Sequence, residues 1–275
     1  MADFGALAVI LCAGALYGVG VMRVWDRAGR GRIIRSWQPA CFAAALVAAG
    51  VALVSPLDGA ADRSLTAHMA QHVVLISAAA PALAISAPLI ALAYAFDPAG
   101  PAHLAGRWGR PHVPRGRQWA VLTAVALVVH TATVGVWHVP VAYDAALSNV
   151  GIHAFEHLTF LFTAAVLWWA ALGTGRRSRR GAGVLVLFLT TLPMNALGLM
   201  MTLSRSPWYP EYVHGSVAKA VQDQQLAGVV MWGFGGVAAL VGAFALFVSW
   251  LEGLERATPG RLVLGSGATS RGTAP

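Results

Sequence analysis

The sequence predicts an all-α, polytopic membrane protein in which residues 1–255 form one domain, a bundle of seven transmembrane helices. Hydrophobic residues make up 57% of the 275 residues and charged residues only 11%, against about 25% charged in soluble domains. The mean hydropathy is +0.65, and several stretches of about 20 residues carry few or no charges, as a helix that crosses a bilayer requires. These stretches show no period-2 alternation, which argues against a membrane β-barrel.

Seven apolar segments meet this length criterion. The third is longer than one span needs, and we expect Pro81 and Pro88 to kink it or to divide it into a span and a short continuation. The residues after Glu255 are rich in Gly, Ser, Thr and Pro, so a disordered cytoplasmic tail is predicted over 256–275. The predicted spans are 4–22, 38–55, 65–96, 118–138, 150–172, 182–203 and 224–251.

The distribution of basic residues predicts the orientation of the bundle. Sixteen of the 19 Lys and Arg residues fall in the loops 23–37, 97–117 and 173–181 or in the tail, which the alternation of spans places on one side. The positive-inside rule makes that side cytoplasmic, with the N-terminus outside and the C-terminus in the cytoplasm. Topology therefore accounts for the net charge of +8, and we expect no nucleic-acid partner.

Histidines concentrate in the outer half of the predicted bundle. The third and fifth spans open with HMAQH and HAFEH, and each pair of histidines four residues apart shares a helix face. Imidazole is the commonest metal ligand, and a polar group in a bilayer is costly unless it is paired or ligated. If the third, fourth and fifth spans are neighbours, six imidazoles converge in two layers one to two turns apart and can ligate a metal ion or haem. The predicted ligands are His68, His72, His130, His138, His153 and His157.

Further side chains are candidates for additional ligands or for hydrogen bonds to ligands. Glu156 is the only acidic residue deep in a predicted span, and it either ligates directly or orients a ligand imidazole. Methionine thioethers favour Cu(I), although methionine in an apolar helix is usually a packing residue. Asp223 is also explained as a cap at the start of the seventh helix. The additional candidates are Glu156, Met200, Met201, His214, Asp223, Gln224 and Met231.

Three other interpretations of the histidines remain open at this point. The histidines could be hydrogen-bonding contacts between helices. Facing histidines could be axial ligands of haem in a membrane redox protein. HAFEH also matches the H-x-x-E-H pattern of a zinc peptidase, which needs a third protein ligand and an open coordination position.

Five stretches together carry a resemblance to a known family: HMAQHVVLISAAAPALAISAP, VGVWHVPVAYDAAL, HAFEHLTFLFTAAVLWW, SPWYPEY and DQQLAGVVMW. They resemble the CtaG family of bacterial cytochrome c oxidase assembly factors, the multi-spanning kind first associated with Bacillus-type oxidases, over roughly residues 38–251. SPWYPEY on its own is typical of an aromatic belt with a turn, or of a docking surface for a partner.

The resemblance implies a function in the biogenesis of haem–copper oxidases, and by implication in copper handling. We therefore expect copper as the bound metal, with haem or zinc as alternatives, and no catalytic turnover. The expected partners are cytochrome c oxidase subunits or other copper-handling proteins, together with the lipid bilayer. The expected location is the bacterial inner (cytoplasmic) membrane, which the chain crosses in several passes. The protein would deliver copper or stabilise an assembly intermediate.

Overall fold

The computed structural model describes residues 2–97, 117–172 and 180–255. These residues form helices and connecting turns, with no strand in the part described, and seven helices are long and apolar enough to cross a membrane. The predicted all-α, seven-span fold is confirmed. The orientation of the termini stays a prediction, and the tail predicted over 256–275 lies outside the described residues.

The helical segments follow the predicted order, and most spans begin and end within a few residues of their predicted bounds. The larger differences are extensions at helix ends beyond the apolar stretch. The segments are α1 (Ala2–Ala28), α2 (Gln38–Leu53), α3 (Pro56–Ala61), α4 (Leu65–Val74), a π-helix (Leu75–Ala79), α5 (Ala80–Ile85), α6 (Pro88–Phe96), α7 (Arg117–Trp137), α8 (Pro140–Ser148), α9 (Val150–Leu172), α10 (Arg180–Leu203), a 3₁₀ turn (Pro210–Tyr212) and α11 (Val217–Glu255).

The long third apolar segment is divided, as the prolines predict. Leu65–Ile85 forms the span, and α6 is the short continuation. The division falls at Ala87, whose φ of 55° lies in the left-handed region and precedes Pro88. Within the span, the amide of Ala80 donates to the carbonyl of Leu75 and closes the π-turn. Pro81 has no N–H to continue this pattern, and the Ile76 carbonyl accepts from the indole of Trp168, 3.3 Å away.

The helix contacts bring the histidine-bearing segments together. α9 packs against α7 on one side and against the π-helix and α5 on the other, and α11 packs along α10 and α4. The buried apolar core runs between these helices and includes Leu65, Phe160 and Met231. The third, fourth and fifth predicted spans are therefore neighbours, which is the condition on which a shared histidine site depends.

Two glycines allow α10 and α11 to approach closely. A Cβ atom built on Gly198 would lie 2.9 Å from the Gly228 carbonyl oxygen, and one on Gly228 would lie 2.5 Å from the Gly198 carbonyl oxygen. Only hydrogen fits at both positions, which is typical of small-residue contacts between membrane helices. This contact holds α11, and with it Asp223 and Gln224, against the rest of the bundle.

Candidate metal centre

Five of the six predicted histidine ligands meet at one end of the bundle. His68 and His72 come from α4, His153 and His157 from α9, and His138 from the residue that follows α7. Ring centroids on different helices lie 5.0 Å apart for His68 and His153, and 5.3 Å apart for His72 and His157. The ring of His138 lies 6.3 Å from that of His72. The i, i+4 pairs of α4 and α9 thus face each other.

The tautomer of His68 follows from its hydrogen bond. The Tyr212 hydroxyl donates to the Ala61 carbonyl at 2.9 Å, and the same oxygen lies 2.9 Å from Nδ1 of His68. A carbonyl oxygen only accepts, so the Tyr212 proton is committed to Ala61 and His68 Nδ1 must be the donor in the second bond. Burial also raises the pKa of Tyr212, so its hydroxyl keeps its proton. His68 therefore presents the lone pair of Nε2.

His138 presents the same nitrogen for the same reason. Its Nδ1 lies 2.7 Å from the Val134 carbonyl, one turn earlier in α7, and must donate to it. The Nε2 atoms of His68 and His138 are both buried and have no hydrogen-bond partner. Orienting a ligand histidine through its other nitrogen, by a carbonyl or a comparable acceptor, is the usual arrangement in protein metal sites.

Glu156 faces two of these imidazoles at a spacing unlike a hydrogen bond. Its Oε1 lies 3.6 Å from His72 Nε2, and its Oε2 lies 3.9 Å from His68 Nε2. Two ligand atoms bound about 2.0–2.1 Å from one tetrahedral ion are about 3.4 Å apart. The separations are therefore closer to ligand spacing than to a direct hydrogen bond. Glu156 has no exposed surface, and neither of its oxygens has a hydrogen-bond partner.

Two groups of three side chains have the spacing of a metal site. One group is His68, His153 and His157, and the other is His68, His72 and Glu156; within each group the ligand atoms lie within 4.8 Å of one another. His68 belongs to both groups and has one nitrogen to offer, since Tyr212 occupies Nδ1. The groups are therefore alternative positions for one ion at His68. The first is closer to solvent, because His153 is only partly buried.

Three tyrosines form the wall of the site beside His68. Tyr143 stacks on Tyr209 with ring centroids 4.0 Å apart, and it lies 5.1 Å from the His68 ring. The Tyr209 hydroxyl donates to the carbonyl of His138 at 3.0 Å. Tyr209 and Tyr212 belong to SPWYPEY, and both are buried against the cluster instead of lying in an exposed aromatic belt. The sequence predicted an aromatic belt or a docking surface for this stretch, because no local pattern indicates that its tyrosines point inward.

Asp223 supports α4 instead of joining the metal ligands. Its carboxylate accepts from the Ser64 hydroxyl at 3.0 Å, the Leu65 amide at 2.7 Å and the Thr66 hydroxyl at 2.6 Å. Asp223 was predicted to lie at the start of its own helix, but α11 begins at Val217. It caps the N-terminus of α4, the helix that carries His68 and His72, where a negative charge also favours the helix dipole.

Gln224 and Gln225 hold the loop that carries the tyrosines. The Gln224 side chain accepts from the amide of Trp208 at 2.6 Å and donates to the Ser206 carbonyl at 3.1 Å. The Gln225 amide donates to the Ser204 carbonyl at 3.0 Å. Gln224, which was a candidate ligand, therefore positions residues 204–208 and contributes to the site indirectly.

The remaining candidates lie in surroundings other than the hydrogen-bond and ring contacts of the five histidines. Met200 is 59% exposed, and His214 is exposed in the loop before α11. Met201 and Met231 are buried in the apolar core. His130 lies about 12 Å below His138 along α7, at 1.5 Å per residue, and its Nδ1 is 3.0 Å from the Thr163 hydroxyl. The ligand assignment for the other five histidines stays a prediction.

Comparison with known proteins identifies the family. No curated protein and no solved structure gives a match. The family described as cytochrome c oxidase caa3 assembly factor (Caa3_CtaG) matches residues 15–253, which is nearly the whole chain and includes every residue of the histidine cluster. The chain therefore belongs to the Caa3_CtaG family of cytochrome c oxidase assembly factors.

Proposed function

We propose that the histidine cluster binds a copper ion and that the protein delivers this ion to cytochrome c oxidase or holds an oxidase intermediate while copper is inserted. The observation that carries the proposal is the fixed tautomer of His68. Its Nε2 lone pair is buried, has no hydrogen-bond partner and is shared by two groups with metal-ligand spacing. Assembly of the oxidase is the function of the family.

The unsatisfied nitrogens support metal binding over contacts between helices. Histidines that join helices would donate to or accept from a neighbour, because an unpaired buried polar atom costs roughly 1–3 kcal/mol. In this cluster the Nε2 atoms of all five histidines have no hydrogen-bond partner. So many unpaired nitrogens at one place are costly in a protein interior, and one bound cation would satisfy three of them at the outer position, or two of them and a Glu156 oxygen at the inner one.

The donor set and the family together favour copper. Imidazole binds copper, zinc and iron, and for a given divalent site copper has the highest affinity in the first-row series. The oxidases that this family assembles contain copper centres, so copper is the ion that an assembly factor would carry as cargo. In this proposal His68, His153 and His157 hold the ion at the outer position, and His68, His72 and Glu156 hold it at the inner position.

The close packing of the rings supports an ion over haem, and the burial of Glu156 supports binding over hydrolysis. The rings of His68 and His153 are 5.0 Å apart, which leaves no space for a macrocycle between them. A peptidase would need Glu156 to meet a water and a peptide bond in an open cleft, whereas this side chain has no exposed surface. The charge pattern of the loops favours a cluster at the outer face of a bacterial inner membrane.

Metal content and an optical spectrum of the detergent-purified protein test this proposal. We expect one copper per chain at the cluster after reconstitution, lost in His72→Ala/His157→Ala and kept in His214→Ala, which alters an exposed histidine. X-ray absorption should show imidazole scattering around this ion. A Soret band would instead indicate haem, and zinc without copper would favour the peptidase. No metal in any form would mean that the cluster only joins helices.

A further inference from the structure

A second candidate site lies deeper in the helix bundle than the histidine cluster. It is a cavity of about 20 Å³, which is room for one water-sized guest. The π-helix that continues α4 lines it together with α7 and α9, about one to three turns from the cluster histidines, and α10 and α11 complete it. The lining side chains that carry polar or sulfur atoms are Ser77, His130, Thr190, Thr191 and Met194.

The cluster and the cavity are separate sites, and Phe160 lies between them along α9. Phe160 has no exposed surface, and its ring lies 4.6 Å from that of His72 and 6.3 Å from that of His138. One turn further along α9, Thr163 bonds His130, and another turn further Trp168 lines the cavity. An ion at the cluster therefore does not contact His130.

His130 lines this cavity and has one ring nitrogen free to act as a ligand. The Thr163 hydroxyl donates to the Thr159 carbonyl at 2.7 Å, so its oxygen accepts from His130 Nδ1, 3.0 Å away. The same argument applies to His68 and Tyr212. Because the hydroxyl proton is already donated to a carbonyl, Nδ1 of the histidine must be the donor, and Nε2 keeps its lone pair. His130 is 1% exposed, and no hydrogen bond of this side chain other than the one to Thr163 is found in the described residues.

We propose that this cavity is a second metal site, in which His130 and Met194 bind a soft monovalent cation of the Cu(I) class. Met194 is buried and lines the cavity with His130, and thioethers select Cu(I) over zinc and over harder divalent ions. A cation of this class tolerates low coordination numbers, which suits one imidazole and one thioether in an apolar surrounding. The choice of copper rests on the proposed function, and the site would hold a copper ion on its way to or from the cluster.

The test counts ions in the full-length protein with Ag(I) and Cu(I) as probes. We expect two ions per chain in the wild type and one in His130→Asn or Met194→Leu. Asparagine can still donate to Thr163 in place of Nδ1, and leucine keeps nearly the volume of methionine. The Cu(I) X-ray absorption spectrum should also lose its sulfur scattering in Met194→Leu. Met200→Leu is the matched control, because Met200 lies on the same helix but is 59% exposed.

Filling the cavity tests the site without removing a ligand. A Cβ atom on Gly235 would lie 3.9 Å from Met194 Cε and from a Val73 methyl, which is ordinary contact. Gly235→Ala should lower the affinity for the second ion at least tenfold and leave the affinity for the first ion unchanged. Gly233→Ala is its control, since a Cβ atom there meets nothing within 4 Å.

The outcomes separate this inference from the proposed function. One ion in the wild type, lost only in His72→Ala/His157→Ala, would overturn the second site and leave the first, with the cavity holding water only. Two ions with unchanged sulfur scattering in Met194→Leu would also overturn it. An ion that is lost only in His130→Asn and Met194→Leu would support the second site and overturn the proposed function of the cluster. No bound ion in any variant would overturn both.

Discussion

The Tyr212 hydroxyl oxygen lies 2.9 Å from Nδ1 of His68 while its proton is donated to the Ala61 carbonyl. This relationship determines which nitrogen His68 offers to a metal and where that nitrogen points. Tyr212 comes from the loop before α11, 144 residues away from His68 in sequence, so the ligand geometry on α4 depends on a distant segment.

Tyr212→Phe should lower copper affinity by about 10- to 100-fold, the usual effect of removing a group that orients a ligand histidine. Without the phenol oxygen, His68 Nδ1 loses its acceptor and both the ring orientation and the tautomer become free to change. A competition titration against a chelator of known affinity measures the effect.

Tyr17→Phe is the control for Tyr212→Phe, because it removes a buried tyrosine hydroxyl whose bond, at 2.8 Å to the Ser86 carbonyl, does not involve a histidine. Tyr17→Phe should lose about 1 kcal/mol of stability and Tyr212→Phe about twice as much, because the Tyr212 hydroxyl makes two hydrogen bonds. Only Tyr212→Phe should lose copper affinity. Equal copper affinities in the two variants would contradict the orienting function of Tyr212.

Glu156→Gln should lower the affinity for Cu(II) at least about tenfold. This corresponds to the low end of the roughly 1.5–3 kcal/mol that a hydrogen bond or contact to a charged group contributes. Cu(I) should be affected less, because carboxylate oxygen is a hard ligand and Cu(I) prefers softer ones. Parallel titrations with the two oxidation states measure the difference.

The control for Glu156→Gln is Glu211→Gln, which changes an exposed glutamate in the 3₁₀ turn. Its Cu(II) and Cu(I) affinities should equal those of the wild type. If Glu156→Gln leaves Cu(II) binding unchanged, the inner position with His68 and His72 does not hold the ion.

Asp223→Asn should destabilise the protein by at least about 2 kcal/mol. The charged carboxylate accepts several hydrogen bonds, whereas the asparagine side chain is uncharged and its NH₂ group would point at some of the same donors. The affected donors include the Leu65 amide and the Thr66 hydroxyl. Thermal unfolding in detergent measures the loss, and copper affinity should fall with it as α4 loses its cap. Asp26→Asn, an exposed position on α1, should change neither quantity; a similar melting temperature in both variants would contradict the cap.

Gly228→Ala should destabilise the protein by about 1–3 kcal/mol through overpacking of the α10–α11 contact. The new methyl group would lie 2.5 Å from the Gly198 carbonyl oxygen and from the Thr202 hydroxyl oxygen. Gly233→Ala on the same helix should be neutral or slightly stabilising, since its methyl group meets nothing within 4 Å and alanine favours helix. The melting temperatures of the two variants should therefore change in opposite directions or by clearly different amounts.

Much of the fold could be predicted because a bilayer restricts the choices. Backbone polar groups must be satisfied within each span, so an apolar run of sufficient length is a helix, and Pro88 marks the division of the third run correctly. The start of α11 was predicted seven residues too late, at 224 instead of Val217. The polar residues 217–223 continue the helix beyond the apolar stretch, and hydropathy does not detect such an extension.

The candidate site was predictable only in part. The i, i+4 spacing put His68 with His72 and His153 with His157 on shared helix faces, and the structure brings both pairs together. The spacing of residues along one helix does not predict at which level of a neighbouring helix they lie. His130 was therefore grouped with the cluster, although α7 carries it to a separate cavity on the far side of Phe160. Asp223 and Gln224 were candidates for additional ligands or for hydrogen bonds to ligands, and the structure places their hydrogen-bond partners on α4 and in the loop 204–208.

By itself, the sequence determined the number of spans, the residues available as ligands and the family, because each of these follows from hydropathy, side-chain chemistry or motif. The tertiary structure decided which nitrogen His68 and His138 present, which carboxylate faces the imidazoles and which caps α4, and that His130 lies apart from the other five histidines. These properties depend on distances and hydrogen bonds between helices far apart in the chain. Tyr212 and His68 are 144 residues apart in the sequence, and only the packing of the helices brings the Tyr212 hydroxyl to 2.9 Å from His68 Nδ1.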